Sequence, residues 1–206
     1  MLTLIQSPFL EYKLTILRNK KTSNSLFRQT MNETSYLIAA EVLKFLPYKQ
    51  ISVQTPIKKT LGKILSQQII LTPILRAGLG LLEGFIKFLP DAEKGHIGLY
   101  RDEQTYKPVE YLFKLPKTKN KKIIVLDPML ATGNSSIAAI NLIKSKDVSI
   151  KNIFLVSLLS APEGIKNIQK HQKGLHIFTC KIDSKLNNNK FIVPGLGDAG
   201  DRYMGT

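Results

Sequence analysis

The sequence predicts an α/β fold, a mostly parallel twisted sheet flanked by helices, on three observations. From residue 69 to residue 180, apolar runs of strand length alternate with segments of helical period. No run approaches the roughly 18 apolar residues that a membrane helix needs. No internal repeat or low-complexity linker divides the 206 residues, of which 43% are hydrophobic, so residues 1–206 read as one compact domain.

Taken in order, residues 26–46 place Leu26, Phe27, Thr30, Met31, Leu37, Ala40 and Leu43 at helical spacing and stop near Pro47, which predicts an amphipathic helix packed on the core. A short alternating segment, ISVQTPI, follows. Strand-like and helix-like pieces then succeed one another: strand 69–72, helix 79–88, strand 96–100, strand 122–126, helix 136–144, strand 153–159, helix 162–170 and strand 175–180. Residues 106–115, with Pro108 inside and Pro116 just beyond, read as an extended arm or hairpin rather than a helix. Residues 117–122 and 187–190 are polar enough for loops. Ligands of such sheets sit at the carboxyl ends of the strands.

The formal charge of +15 raises the question of nucleic acid. Only five of the 30 basic residues are arginines (Arg18, Arg28, Arg76, Arg101, Arg202), and the lysines are scattered in singles and pairs from Lys13 to Lys190. That distribution describes a solvated surface, with no specific nucleic-acid face. The N-terminal MLTLIQSPFLEYK has neither a basic region nor a small-residue cleavage site, which makes a cytoplasmic protein with no membrane association the expectation. The single cysteine, Cys180, lies in an apolar run and reads as a buried structural thiol.

The most informative stretch is KKIIVLDPMLATGNSSIAAINLIK. A buried strand ends in Asp127, a loop holds Thr132 and Gly133, and a helix begins among Ser135 and Ser136. Such a loop aims backbone N–H groups and a helix N-terminus at one point, an anion site. Hydroxyls of Thr132, Ser135 and Ser136 add donors for a phosphate monoester, and Asp127 can accept from ribose hydroxyls. Taken singly, Ser135 is also readable as a helix N-cap and Asp127 as a strand-end turn residue. Together they match the signature by which phosphoribosyltransferases bind phosphoribosyl pyrophosphate (PRPP). No Gly-Lys-Ser/Thr occurs, which excludes a Walker loop, and Glu83 occupies the glycine position that a dinucleotide fingerprint through Gly78 and Gly80 requires.

PILRAGLGLLEGF, GLYRDEQTYKPVEYLFKLP, VLDPMLATGNSS, SAPEGI and PGLGDAGDRYMGT, with KLTILRNKKTSNSLFR near the start, resemble the uracil phosphoribosyltransferases in order and spacing. The resemblance implies a type I phosphoribosyltransferase-like fold with a C-terminal base-binding hood, and transfer of the phosphoribosyl group of PRPP to uracil, giving UMP and pyrophosphate. It implies PRPP contacts from Arg76, Arg101, the loop Asp127, Pro128, Met129, Leu130, Ala131, Thr132, Gly133, Asn134 and Ser135, and Asp198. It implies uracil contacts from Ile192, Gly197, Asp198 and Ala199, with Arg76, Arg101 and Asp198 as the catalytic set. Magnesium is implied as a companion of PRPP near Asp198, without a protein cage of its own. GTP as an allosteric activator and a homodimer or higher homo-oligomer are further family traits.

Departures from the family pattern are few. Asn134 stands where a second glycine is usual, and is expected to tolerate a positive φ. Lys185 and Lys190 replace glycines, Phe191 replaces a tyrosine, and Ser7 replaces a histidine. Arginine forks suit pyrophosphate oxygens, and Arg76, set in the apolar LTPILRAGLGLL, is expected to be too costly as a buried, unpartnered charge to be merely structural. Arg101 could instead pair with Asp102 or Glu103. No base stands out: the uracil proton could leave to solvent, to Asp198 or to pyrophosphate, and His96, His171 and His176 read as structural or solvated. A pyrimidine-responsive RNA-binding regulator on the same fold is the alternative function, and a purine phosphoribosyltransferase is a third reading that would not carry PGLGDAGDRYMGT.

Overall fold

The computed structural model describes residues 1–100 and 108–206 in full, and the backbone alone of Arg101. The chain opens with an edge strand, β1 (Leu2–Leu4), and helix α1 (Pro8–Arg18). Ser7 starts that helix: its hydroxyl accepts the Leu10 amide at 3.1 Å, and Pro8 supplies a preset φ in the first turn. Helix α2 (Asn24–Leu43), capped by Ser23, is the first predicted helix, but Leu26 and Ala40 of the expected stripe are exposed, and the buried face continues from Phe27, Thr30 and Met31 through Thr34, Ser35, Ile38, Ala39 and Val42. It is followed by a hairpin, β2 (Tyr48–Gln54) and β3 (Lys59–Leu65), which pairs with no other strand among the described residues.

The α/β alternation then runs as expected: β4 (Ile69–Leu75), α3 (Leu79–Phe88), the short β5 (Glu93–Lys94), β6 (His96–Arg101), β7 (Pro108–Lys114), β8 (Lys122–Leu126), the short β9 (Met129–Leu130), α4 (Asn134–Lys144), β10 (Ile153–Ser160), α5 (Pro162–His171) and β11 (His176–Ile182). The chain ends in a small hood, the two-residue strands β12 (Lys185–Leu186) and β13 (Ile192–Val193) and helix α6 (Ala199–Met204).

The main sheet has the order β1-β11-β10-β8-β4-β6-β7, every neighbouring pair parallel except β6 and β7. Strand β7 of that pair falls in the extended arm predicted for 106–115, of which residues 106 and 107 lie outside the described residues. Strands β8 and β10 are buried at every position because both faces are covered. Leu10, Leu14 and Leu17 of α1, with α2 and α3, close one face. Ala139, Ile140 and Ile143 of α4, with Ile165 and Ile168 of α5, close the other. Cys180 is buried in the first of these layers, where burial pushes its thiol far above the ordinary range, the inert state expected from sequence.

Helices α2 and α3 touch almost backbone to backbone. The Gly84 amide donates to the Ser35 hydroxyl at 2.8 Å, and a Cβ on Gly84 would lie 2.2 Å from the Ser35 carbonyl carbon. Gly84→Ala must push the helices apart, and an overpacked core of this kind costs about 1–3 kcal/mol. Urea unfolding checks it: the midpoint should fall clearly, and an unchanged midpoint would contradict the close packing.

Candidate functional site

The strands β4, β6 and β8 release their loops at one edge of the sheet, and a cavity of about 540 Å³ opens there. Its walls are Arg76 and Ala77 after β4, Leu99 and Tyr100 of β6 with Pro108 and Tyr111 of β7, the loop after β8, and Lys190, Asp198 and Gly200 from the hood. A second cavity of about 270 Å³ adjoins it beneath the hood, lined by Asn189 to Ile192 and by Gly197 to Gly200. Ala77, Met129, Ala131, Ser135, Lys190, Asp198 and Gly200 line both.

The loop after β8 has the form of an anion cradle. Gly133 takes φ +81 and caps α4 with no side-chain hydrogen bond; the Asn134 amide makes a long contact to the Thr132 hydroxyl at 3.4 Å, and the amides of Ser135 and Ser136 have no protein acceptor among the described residues. Asn167 of α5 pins the loop, its amide donating to the Thr132 carbonyl at 2.8 Å and to Asn134 Oδ1 at 3.0 Å. Asp127 closes the strand, and Ser136 donates its hydroxyl to Asp127 Oδ2 at 2.8 Å. Burial pushes the Asp127 carboxyl up to about 6, against the opposing pull of the Ser136 hydroxyl and the Met129 amide.

Several sequence expectations need correction. The left-handed residue is Gly133; Asn134 is the first residue of α4, has no positive φ, and serves through its side chain. Ser135 is not the N-cap, a place that Gly133 takes. The Ser136 hydroxyl is spent on Asp127 and is not free for phosphate. Pro128 and Leu130 do not line the cavity: Leu130 is in the core, and the Pro128 carbonyl accepts the amides of Leu158 and Leu159. Arg76 is not a buried charge lacking a partner. Its side chain is 53% exposed and pairs with Asp201 at 2.9 Å, an exposed contact of little net stability that a ligand can displace. The Leu75–Arg76 peptide is cis. The side chain of Arg101, and the acidic residues Asp102 and Glu103, lie outside the described residues.

Ile192, Gly197, Asp198 and Ala199 meet at the smaller cavity. Asp198 also caps α6, accepting the Asp201 amide at 2.9 Å. Unanticipated is how this loop is held. Arg18, the last residue of α1, makes a forked pair with Asp183, at 2.7 and 2.8 Å, and donates to the Gly195 carbonyl at 2.7 Å. Asp183 in turn accepts the Gly195 amide at 2.9 Å, so both backbone groups of Gly195 are engaged. Burial works to raise the Asp183 carboxyl, and the Arg18 and Gly195 hydrogen bonds more than offset it, holding it below the usual range. Arg202 donates to the carbonyls of Leu17, Leu196 and Asn19 and stacks over Phe27. Gly195 is therefore a structural corner with φ +60, and Gly197, φ +82, is the one that meets the cavity. The scarcity of arginine was the available signal: a lysine cannot make the forked contact.

A double cavity at the ends of parallel strands, with an acidic strand end and a glycine-capped loop, is the arrangement expected of a phosphoribosyltransferase. The purine phosphoribosyltransferase of Pyrococcus horikoshii shares the fold, with a TM-score of 0.53 at 15% identity over 76% of this chain and 85% of that one. The chain belongs to the uracil phosphoribosyltransferase family, whose sequence model matches residues 4–206. Uracil phosphoribosyltransferases of Finegoldia magna and Streptococcus salivarius are 50% and 48% identical to it, over 99% and 98% of this chain and 98% and 97% of theirs. A solved structure from Aquifex aeolicus, 35% identical, covers 98% of this chain and 97% of its own with a TM-score of 0.92.

Two outcomes follow from the geometry. The raised Asp127 carboxyl favours its protonated form in the fold, so stability from this group is full below about pH 3.9 and is lost as pH rises through 6. Asp127→Asn should therefore stabilise the ligand-free protein at pH 8, and by progressively less toward pH 5. Melting curves across that range test it, and an equal effect at every pH would contradict the account. Arg18→Lys should release the Gly195 corner. Amide exchange at 195–197 should accelerate at least tenfold while that of β8 and β10 holds; unchanged exchange would show that the clamp does not position the loop.

Proposed function

We propose that this protein transfers the phosphoribosyl group of PRPP to uracil, forming the bond from N1 of the base to C1 of the ribose as the bond to pyrophosphate breaks and the N1 proton is released to the departing pyrophosphate or to solvent. The observation that carries this reading is the pair of adjoining cavities: an anion loop and a carboxylate in the larger, and a backbone-lined, partly apolar chamber in the smaller, joined along Ala131, Ser135 and Asp198. They suit the phosphate, ribose and base of one nucleotide.

The amides of Ser135 and Ser136, with the hydroxyls of Thr132 and Ser135, take the 5′-phosphate, which displaces the long Asn134–Thr132 contact. Asp127 accepts the ribose hydroxyls, a role in which its ionised form, costly in the empty site, gains donors. Charge separates as the leaving group departs, positive on the ribose ring and negative on pyrophosphate. Arg76 then exchanges the Asp201 carboxylate for pyrophosphate oxygens, and Arg101, implied by the family motif, is assigned the same group. Gly197, Asp198 and Ala199 present main-chain groups to uracil, while Phe191 and Ile192 give the chamber apolar surface.

Among the described residues no three His, Cys, Asp or Glu come together as a metal cage. The donor set beside the cavity, the carboxylate of Asp198 with room for phosphates, fits a magnesium ion that arrives on PRPP and keeps its waters. Bound there, magnesium would neutralise charge on the leaving pyrophosphate. GTP as an activator and a cytoplasmic location belong to the same reading. Association into a homodimer or higher homo-oligomer does too, and is supported by the β2–β3 hairpin, which exposes 92% of Ile57 and 70% of Leu61. No helix among the described residues is long and apolar enough to cross a membrane. No observation favours the RNA-binding alternative.

The test is pyrophosphate release from PRPP with a panel of free bases. Uracil and cytosine reverse donor and acceptor along one edge, so a fixed main chain matched to uracil leaves two groups unsatisfied with cytosine, a penalty of about 2–6 kcal/mol. Uracil should therefore exceed cytosine in kcat/KM by tens-fold or more, and Arg76→Ala should lose about a hundredfold in turnover with the fold intact. Equal use of the two bases, or a fully active Arg76→Ala, would overturn the respective assignment.

A further inference from the structure

The turn between β12 and β13 places a lysine where the backbone favours glycine. Lys190 has φ +64, a conformation that L side chains seldom adopt. Asn187 fixes it there. Its carbonyl accepts the Lys190 amide, its side chain accepts the Phe191 amide and its own amide donates to the Phe191 carbonyl, each at 2.9 Å. Lys190 is exposed, so core packing does not account for a side chain at this position. What the position provides is access: Lys190 lines both cavities, with Ser135 of the anion loop lining the same two.

We infer that Lys190 is a phosphate-binding residue, its ammonium contacting the 5′-phosphate that PRPP and UMP share; the inference rests on the reaction proposed above. Helix α5 ties the Lys190 turn to the phosphate end of the site. Glu163, in its first turn, accepts the Leu186 amide at 3.0 Å, and Asn167, one turn later on the same face, holds Thr132 and Asn134 of the anion loop. The Lys190 charge is close enough to Glu163 to help lower its carboxyl, after the larger effect of the Leu186 amide, with Lys166 acting in the same sense. Arg76, assigned to pyrophosphate, follows β4 and lines the larger cavity as well, so titration with pyrophosphate separates its contribution from that of Lys190. A rigid turn that presents an ammonium beside the loop amides thus adds a charge that the loop, built of neutral donors, lacks.

Calorimetry with UMP, PRPP and pyrophosphate, each titrated separately, tests the assignment on wild type, Lys190→Gly, Lys190→Arg and the charge-matched control Lys185→Gln. Lys190→Gly should melt no lower than wild type, because glycine meets the backbone requirement, yet bind both UMP and PRPP about tenfold more weakly, the loss expected for one charge-assisted contact. Its affinity for pyrophosphate should stay unchanged. Lys190→Arg should retain most of the UMP affinity, and Lys185→Gln all of it. Undiminished UMP binding by Lys190→Gly, or a loss confined to pyrophosphate, would overturn the assignment. A wild type that binds no UMP would remove the proposed reaction itself, and this inference with it.

Discussion

The four-way contact of Arg18, Asp183 and the two backbone groups of Gly195 is the interaction on which the site depends. It joins the end of the first helix, the exit of the last strand of the main sheet and the turn between β13 and α6 within the hood. The Asp183 side chain is only 3% exposed, so each partner is needed to compensate its charge, and removing one would leave a buried group unsatisfied. Neither cavity could keep its shape if this corner moved, because Asp198 and Gly200 line both and follow within five residues of it. The hood is too small to define its own geometry: two strands of two residues and a helix of six bury little surface. Its position is set by hydrogen bonds to the body.

Arginine usage gives this arrangement a chemical logic. The surface is supplied with lysine, but all four arginines whose side chains are described reach the C-terminal segment: Arg18 at Gly195, Arg28 at the Tyr203 carbonyl, Arg76 at Asp201, and Arg202 from within it to Leu17, Leu196 and Asn19. Arg18 and Arg202 use the planar fork or several directed donors at once, which an ammonium on a flexible stem cannot reproduce. Asp127 shows the opposite economy. Its enclosure disfavours the ionised form in the empty protein, and the same enclosure makes an ionised carboxylate a strong acceptor once hydroxyls are supplied.

The sheet was legible because β8 and β10 are apolar throughout and their helices carry regular stripes; α3 was located to the residue. The anion loop was legible because Asp127, Thr132 and Gly133 follow a buried strand in a fixed order. What escaped had physical reasons. Helix α1 has its signal in Ser7-Pro8 and in Leu10, Leu14 and Leu17, a spacing that neither the test for a leader nor the family motif in this stretch draws on. In the β2–β3 hairpin nearly every residue is exposed, so no inward period marks β3. Roles that arise from pairs distant in sequence, such as Arg18 with Asp183, cannot be read from either residue alone. Asn134 was assigned a strained backbone that belongs to Gly133, because a motif fixes which loop bends and not which residue takes the bend.

The central claim is that the two adjoining cavities receive one nucleotide, phosphate at the start of α4 and base beneath the hood. A crystal structure of the protein with UMP tests this most directly. The account predicts phosphate oxygens on the amides that follow Gly133, ribose hydroxyls on Asp127, and the pyrimidine edge against the main chain of Gly197 to Ala199. UMP bound with its base in the larger cavity, or outside both, would contradict it.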